Sequence, residues 1–579
     1  MKKWTNSIEG RPGSVKKERL YLLFILLIVL IQGIFIYLYL IRPQGPFCWD
    51  EAHRSVFSLM VAKSFLSGNI SMLWQLTNQQ IYWPFLHSWA SSIFLIVGGF
   101  SYPAARTMSL TMNAGALITI YFIARKVTGR TGGGVELIAA GLFALSPIFA
   151  FFAATAMAES LGIFLSLLVL FFYLTSWQKN SRSGFLLTGA LLGLLYFTKY
   201  IYAVFFGFGL VLFWLSLLFD RERKEEDRNL FRTIWLVSIS FGVIIGLWLA
   251  VGQSGGKIGI LVYRFKSTGG WDFLKLGIID RILFYPRALL IAYSFSPWLF
   301  PAYLAGLAWG FCHWKDLKIR LLLLIFLGNL LPMAVSANLQ ERFIATSAPA
   351  LFILTAIFLV NFWKRPGRKI LRPILLVWLI LIIGDIYKMP GYIRIIGNTT
   401  LGVLNFNAPK KRPAASLFGL LPHPSFFRQP TNLLSPKKDD PVASHTIEDI
   451  YQFIWKNADH REPICALFQL NSASPHIWQW HAIVRHRQIT TNFNPRCSYF
   501  ITLTFSPDSI YRTTTNKGLI EDRTDKTRQL LQFLEDRKLL RLWKEKKFAD
   551  LGITATIYAR VVPSDHPAWK QLNFGEISR

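Results

Sequence analysis

Leu20-Tyr-Leu-Leu-Phe-Ile-Leu-Leu-Ile-Val-Leu-Ile-Gln-Gly-Ile-Phe-Ile-Tyr-Leu-Tyr-Leu-Ile41 runs without a charge, and Phe47-Cys-Trp-Asp-Glu-Ala-His-Arg54 follows it closely. The first stretch can cross about 30 Å of hydrocarbon, which takes roughly 20 helical residues. The second sets Asp50, Glu51, His53 and Arg54 side by side just past that crossing. The plain reading of Asp50 and Glu51 is a helix start, where carboxylates satisfy free N–H groups and favour the dipole. The positions of the chain's other charges at membrane depth decide whether more is at work.

Further apolar runs of similar length recur along the 579 residues, and they do not alternate. The chain therefore reads as a mainly α, polytopic membrane protein rather than a β-barrel. Its net charge of +31 suggests nucleic acid at first. Lys and Arg gather in short loops between the spans, however, as the positive-inside bias requires, so no nucleic-acid partner is expected. Met1–Arg19 is a long lead for a signal peptide, and Leu20–Ile41 is expected to stay as the first span. The four cysteines, Cys48, Cys312, Cys465 and Cys497, lack metal-ligand spacing; Cys465 and Cys497 are either a disulfide in an oxidising compartment or two thiols.

Orientation follows from the loops. The basic residues 1–19 stay cytoplasmic, so the first span delivers the outer loop 42–103, with a helix from Asp50 to Phe65. Tyr82–Phe100 is apolar but holds Pro84, His87 and Gly98-Gly99. If it is re-entrant or interfacial, Arg125, Lys126 and Arg130 fall inside after a span over Ala104–Ala124. The spans that follow are Leu137–Phe152, Leu161–Trp177, Phe185–Tyr200, Tyr202–Leu218, Ile234–Val251, Leu289–Phe311, Leu321–Ala337, Ile344–Phe362 and Ile374–Ile386. Each loop placed inside is basic or charged, and the total is about eleven spans over residues 20–387. Residues 388–443 read as a linker, and 444–579 as a soluble extracytoplasmic α/β domain. In that domain Thr446–Trp455 and Asp525–Lys544 read as helices, while Ile464–Phe468, Tyr499–Phe505 and Thr554–Val562 read as strands.

Ionisable groups at membrane depth are costly, and so are functional candidates. With this topology Arg106, Glu159, Lys199, Glu341 and Arg342 share the outer level with Asp50, Glu51, His53 and Arg54. Snorkelling explains a single lysine or arginine there. It does not explain carboxylates and cations from five segments at one level. A site for a phosphorylated, membrane-embedded substrate does, with Lys199 and Arg342 as phosphate ligands and Arg106 and Arg54 behind them. A sugar on a polyprenyl phosphate already carries a good leaving group, so the site needs a base for the acceptor hydroxyl or amine. Asp50 is that base. Glu51 and Glu159 stand with it as acidic groups, and Asp50 or Glu159 is where a divalent metal would be held. His53, Tyr82 and His87 are candidate contacts to donor or acceptor. The competing reading is a transporter or flippase of lipid-linked or anionic solutes; it favours midplane charges and internal repeats.

Asp50-Glu51, Tyr82-Trp-Pro-Phe-Leu-His-Ser-Trp89, Ala105-Arg106, Ala144-Leu-Ser-Pro147 with Glu159, Phe197-Thr-Lys199, and Arg342-Phe343 with Pro349 resemble the GT-C membrane glycosyltransferases. Within these, the likeness is to protein-mannosyltransferase-like and aminoarabinose-transferase-like bacterial enzymes of glycosyltransferase families 39 and 83. It covers about Leu20–Phe362, and more loosely the trailing α/β domain. The resemblance implies a lipid-phosphate-sugar-dependent hexosyl- or pentosyltransferase of the cell (inner) membrane, with an outer-face site, inversion at the anomeric carbon and a catalytic acid in the first outer loop. It implies a polyprenyl-phosphate-linked sugar donor, a lipid, glycan or protein acceptor, and membrane lipids as surroundings. In the aminoarabinose group the motif runs Asp-Glu-x-Arg-Tyr; here His53 stands at the Arg place and Arg54 at the Tyr place. Glu159 stands where many relatives have Asp.

Overall fold

The computed structural model describes residues 12–42, 49–81, 84–129, 134–220, 227–250, 278–296, 298–335, 341–364, 376–380 and 382, and then 447–458, 464–466, 489–490, 497–505, 530–548 and 553–570. Tyr82, most of Ile374–Ile386 and the linker at 388–443 lie outside them. The chain divides into two units. One comprises Met1–Ile41, Trp74–His87 and Arg106–Ile396; the other comprises Arg42–Leu73, Ser88–Ala105 and Gly397–Arg579.

The helices are α1 Pro12–Ile36, continued by a π-turn over Tyr37–Ile41, α2 Trp49–Leu66, α3 Ile70–Gln79, α4 Leu86–Gly98 and α5 Tyr102–Thr128. Then come α6 Val135–Ala144, α7 Pro147–Ala153, α8 Glu159–Lys179, α9 Arg182–Thr198, α10 Tyr200–Leu218 and α11 Asp227–Ala250. The last of this set are α12 Ile278–Ile291, α13 Leu299–Cys312, α14 Leu317–Val335 and α15 Ala348–Lys364. Among the described residues six helices are long and apolar enough to cross a membrane, or seven if α6 and α7 form one span. The expected eleven would need shorter apolar helices to cross as well, such as α9, α13 and α15.

Two expected spans are broken. Leu137–Phe152 was expected as one helix, but α6 and α7 meet at 64°. Ser146 takes an extended conformation before Pro147, which has no N–H to continue the ladder and so starts a new helix. The new end is held by Ile148 N–H donating to the Ala292 carbonyl at 3.0 Å. Leu289–Phe311 likewise divides into α12 and α13. The freed backbone between them is used by side chains, as Tyr303 donates to the Tyr293 carbonyl at 3.2 Å. Irregular backbone at this depth persists only where protein supplies such partners.

Close packing sets the bundle. A Cβ on Gly209 of α10 would sit 2.8 Å from Ile325 Cα of α14, so glycine lets the two backbones approach. At one end, Arg125 pairs with Glu18 at 2.8 Å and ties α5 to α1. Lys318 donates to the Lys126 and Val127 carbonyls, closing the last turn of α5. Arg320 meets Asp220 at 3.0 Å.

In the second unit α2 starts at Trp49, so Asp50 and Glu51 lie in its first turn. The edge of the Phe65 ring meets Trp89 at 5.8 Å. The C-terminal helix α16, Ile447–Asn457, precedes strands β1 Ile464–Ala466, β2 Ile489–Thr490, β3 Tyr499–Phe505, β4 Leu540–Phe548 and β5 Ile553–Arg560. They form one mixed sheet in the order β2-β1-β3-β5-β4, parallel across β2-β1-β3 and antiparallel across β3-β5-β4. Its core gathers Cys497, Phe500, Leu531, Leu534, Leu539, Leu540 and Trp569. Asp525–Lys544 was expected to be helical throughout; helix covers 530–536, and from Leu540 the chain is strand. The run Lys-Glu-Lys-Lys favours helix by composition, but here it is the exposed middle of an edge strand, where lysines deter further pairing.

Candidate active site

Glu159 is the first residue of α8, where a carboxylate is favoured by the unpaired N–H groups and the dipole. Lys199 is the lone extended residue between α9 and α10, at φ −164° and ψ 108°. That break turns its side chain toward the start of α8. Lys199 Nζ lies 2.8 Å from Glu159 Oε1, and both side chains are 1% exposed. Arg342, in the 3-10 turn Glu341–Ile344, brings Nη1 to 3.5 Å from the same oxygen. One carboxylate thus holds two cations that arrive from separate parts of the chain.

Aromatic residues frame the three charges. Tyr202, on the first turn of α10, has its hydroxyl 3.3 Å from Glu159 Oε1 and 3.3 Å from the Arg342 carbonyl. Its ring lies 4.9 Å from Lys199 Nζ, with the Phe343 ring at 5.5 Å on another side. These faces favour the cation after water has been removed. Gly162 makes the arrangement fit, because a Cβ there would come within 2.6 Å of the Tyr202 ring. The turn carrying Arg342 is anchored by Tyr293, which donates to the Glu341 carbonyl at 2.7 Å. Thr346, just beyond, accepts from Asn329 at 3.0 Å, and its carbonyl accepts from Ser166 at 3.2 Å.

Arg106 lies in the same unit, on α5 and fully buried. One turn on, Ser109 donates to the Met157 carbonyl at 3.3 Å, which sets this helix beside the entry to Glu159. His87 is also buried, and Phe85, two residues before it, packs on Phe197 at 5.1 Å, two residues before Lys199. Asp50, Glu51, His53 and Arg54 all lie on α2 in the other unit, with Glu51 and Arg54 buried. His53 and Arg54 follow Asp50 by about one turn of α2. Among the described residues no group of three or more His, Cys, Asp or Glu side chains could hold a metal ion.

The sequence reading passed over Tyr202 and Tyr293. Tyr202 had a weak signal, a tyrosine only three residues after Lys199. Tyr293 had none, since it fell inside an apolar run read as continuous helix.

Chemically, two cations against one carboxylate leave an excess of positive charge in a buried, aromatic-walled site. That suits a single-charged phosphodiester.

Residues 83–248 match the family described as dolichyl-phosphate-mannose-protein mannosyltransferase, a stretch that includes Glu159 and Lys199. No curated protein matches the chain. The fold is similar to that of ArnT from Cupriavidus metallidurans bound to undecaprenyl phosphate, with TM-score 0.55 and 12% identity over 94% of this chain and 98% of that one. The apo state of the same protein gives TM-score 0.53, 12% identity and coverage of 93% and 97%. An oligosaccharyltransferase from Archaeoglobus fulgidus gives TM-score 0.48 and 12% identity over 82% of this chain and 67% of that one. The chain thus has an ArnT-like, GT-C-type fold and resembles glycosyltransferases of that kind.

Proposed function

We propose that this chain is a membrane glycosyltransferase that moves a sugar from a polyprenyl-phosphate donor to an acceptor hydroxyl or amine at the outer face of the membrane, with inversion. The observation that carries the reading is the buried cluster of Glu159, Lys199 and Arg342, with its net cationic character. The match to a mannosyltransferase family across Glu159 and Lys199 supports it, as does a fold shared with a protein that binds undecaprenyl phosphate. Cys497 is disulfide-bonded, which supports an oxidising compartment for the C-terminal domain and hence the outward orientation.

In the proposed reaction the acceptor oxygen or nitrogen attacks the anomeric carbon on the face opposite the phosphate. Its proton passes to the Asp50 carboxylate as the new bond forms. The bond from anomeric carbon to phosphate oxygen breaks, and polyprenyl phosphate departs with the electron pair. Its charge rises as it leaves, and Lys199 and Arg342 stabilise the added charge most strongly in a site emptied of water. Glu159 holds both cations in position and keeps their burial tolerable. Arg106 and Arg54 back the phosphate, Glu51 assists at the start of α2, and His53, Tyr82 and His87 contact donor or acceptor. If a divalent metal takes part, Asp50 or Glu159 holds it.

The transporter reading draws on the bent pair α6–α7, since transporters use broken helices. The charged cluster is not at that break but at the junctions of α8, α9–α10 and the turn before α15. The test supplies full-length protein in sealed proteoliposomes with labelled polyprenyl-phosphate sugars and membrane extract, and follows the label. Transfer to an acceptor supports the enzyme; label that crosses the bilayer unchanged supports the transporter.

A further inference from the structure

Glu341 takes no part in the chemistry above, yet it precedes Arg342 and is 4% exposed. It opens the 3-10 turn between α14 and α15, outside both helices. Its carbonyl is fixed by Tyr293, while its buried Oε1 makes no hydrogen bond among the described residues. A carboxylate with one buried oxygen left without a donor is poorly stabilised in such a place, and the neutral acid is favoured. Burial pushes the Glu341 carboxyl up to about 7, against the opposing pull of its own backbone N–H and of Arg342.

Among the described residues, charged and titratable groups approach this turn from three elements. Arg342 lies within it, and Tyr293 from the α12–α13 junction feels the charge of both Glu341 and Glu159, with Tyr285 behind it. Lys199 and Tyr202 reach the cluster from the start of α10 and its preceding residue. The last two turns of α14, from Asn329 to Val335, carry no ionisable side chain.

We propose that Glu341 is a positioning residue whose protonation sets how tightly Arg342 and Lys199 hold the phosphate of the donor. Protonated, it leaves two cations against Glu159 and a net positive charge for the phosphate to meet. Ionised, it cancels that excess and competes with the phosphate for the neighbouring guanidinium. The inference rests on the glycosyltransferase reading and names a control on that same site.

The test measures binding of the monomethyl ester of undecaprenyl phosphate to the full chain in nanodiscs, across the neutral range. This phosphodiester keeps one charge throughout, unlike a phosphate monoester, whose second pKa of about 6 falls inside the range. Wild type is expected to bind about tenfold more weakly at about pH 8.5 than at about pH 5.5. Glu341→Gln should hold the tighter affinity across the range, and Glu341→Met serves the same purpose if the first variant folds poorly. The difference between the wild-type and variant profiles is what decides. A flat wild-type profile, or variants that follow the wild-type profile, overturns the inference. If instead wild type does not bind at any pH, or binds equally well as Arg342→Ala, the phosphate-site reading itself fails.

Discussion

Lys199 Nζ lies 2.8 Å from Glu159 Oε1 in a fully enclosed ion pair, although the two residues are 40 positions apart in the chain. Arg342 shares the same carboxylate oxygen. Removal of one partner from such a pair costs about 3–5 kcal/mol, because a buried charge is left uncompensated. Glu159→Gln should therefore lower the melting temperature strongly. Lys199→Met should soften that loss when combined with it, since the double variant buries one cation fewer. Additive losses in thermal unfolding of the two singles and the double would contradict the shared pair.

Gly162 is expected to admit no larger residue. In Gly162→Ala the new Cβ meets the Tyr202 ring and must push it off, which moves the hydroxyl away from Glu159 and the Arg342 carbonyl. Overpacking of this kind costs about 1–3 kcal/mol. Tyr202→Phe keeps the ring and loses only the hydroxyl, so its loss should be about 1 kcal/mol. Unfolding measured side by side should rank alanine at 162 as the worse of the two; the reverse order would show that the ring has room to move.

Stability should depend on pH through Glu341. Its carboxyl is raised from 4.5 to about 7 in the folded chain, so the folded state holds its proton more tightly than the unfolded state does. The resulting stabilisation is full below about pH 4.5 and is lost as pH rises through about 7, a total of about 3 kcal/mol. Glu341→Gln should remove that part of the slope. Parallel slopes for wild type and variant between about pH 5 and 8 would place the effect on other groups.

Reduction of the Cys497 disulfide should loosen the C-terminal core, where Cys497 packs with Phe500, Leu531, Leu534 and Trp569. Loss of a native disulfide costs about 2–5 kcal/mol in small domains. Proteolysis with and without reductant should show faster cleavage of the C-terminal region after reduction, while the fragments carrying α8–α10 stay protected. Equal rates would mean that the bridge adds little.

Much of this architecture was legible because apolar runs leave little choice of secondary structure. α5, α8, α10 and α14 fall within a few residues of where hydropathy set them. The breaks at Ser146–Pro147 and around Tyr293 were hidden by continuous apolar composition, since what stabilises them is a set of distant partners such as the Ala292 carbonyl and Tyr303. Strand β4 was missed for a related reason: its Lys-Glu-Lys-Lys run has helical composition, and pairing with β5 overrides it. At the site, Glu159, Lys199 and Arg342 stood out because charge is costly at membrane depth. Tyr202 and Tyr293 did not, since a tyrosine in an apolar run reads as interface or core until its hydroxyl finds a partner.

The most direct test of the central claim compares wild type with Asp50→Asn in transfer of labelled sugar from a polyprenyl-phosphate donor to acceptors in membrane extract. Asparagine keeps the size of the side chain and removes its basicity, and loss of a general base costs about 10²–10⁴-fold in rate. The expected result is transfer by wild type and a fall of that order in the variant, with donor binding retained. Equal transfer by the two proteins would contradict the role of Asp50, and no transfer by wild type from any polyprenyl-phosphate sugar would contradict the enzyme itself.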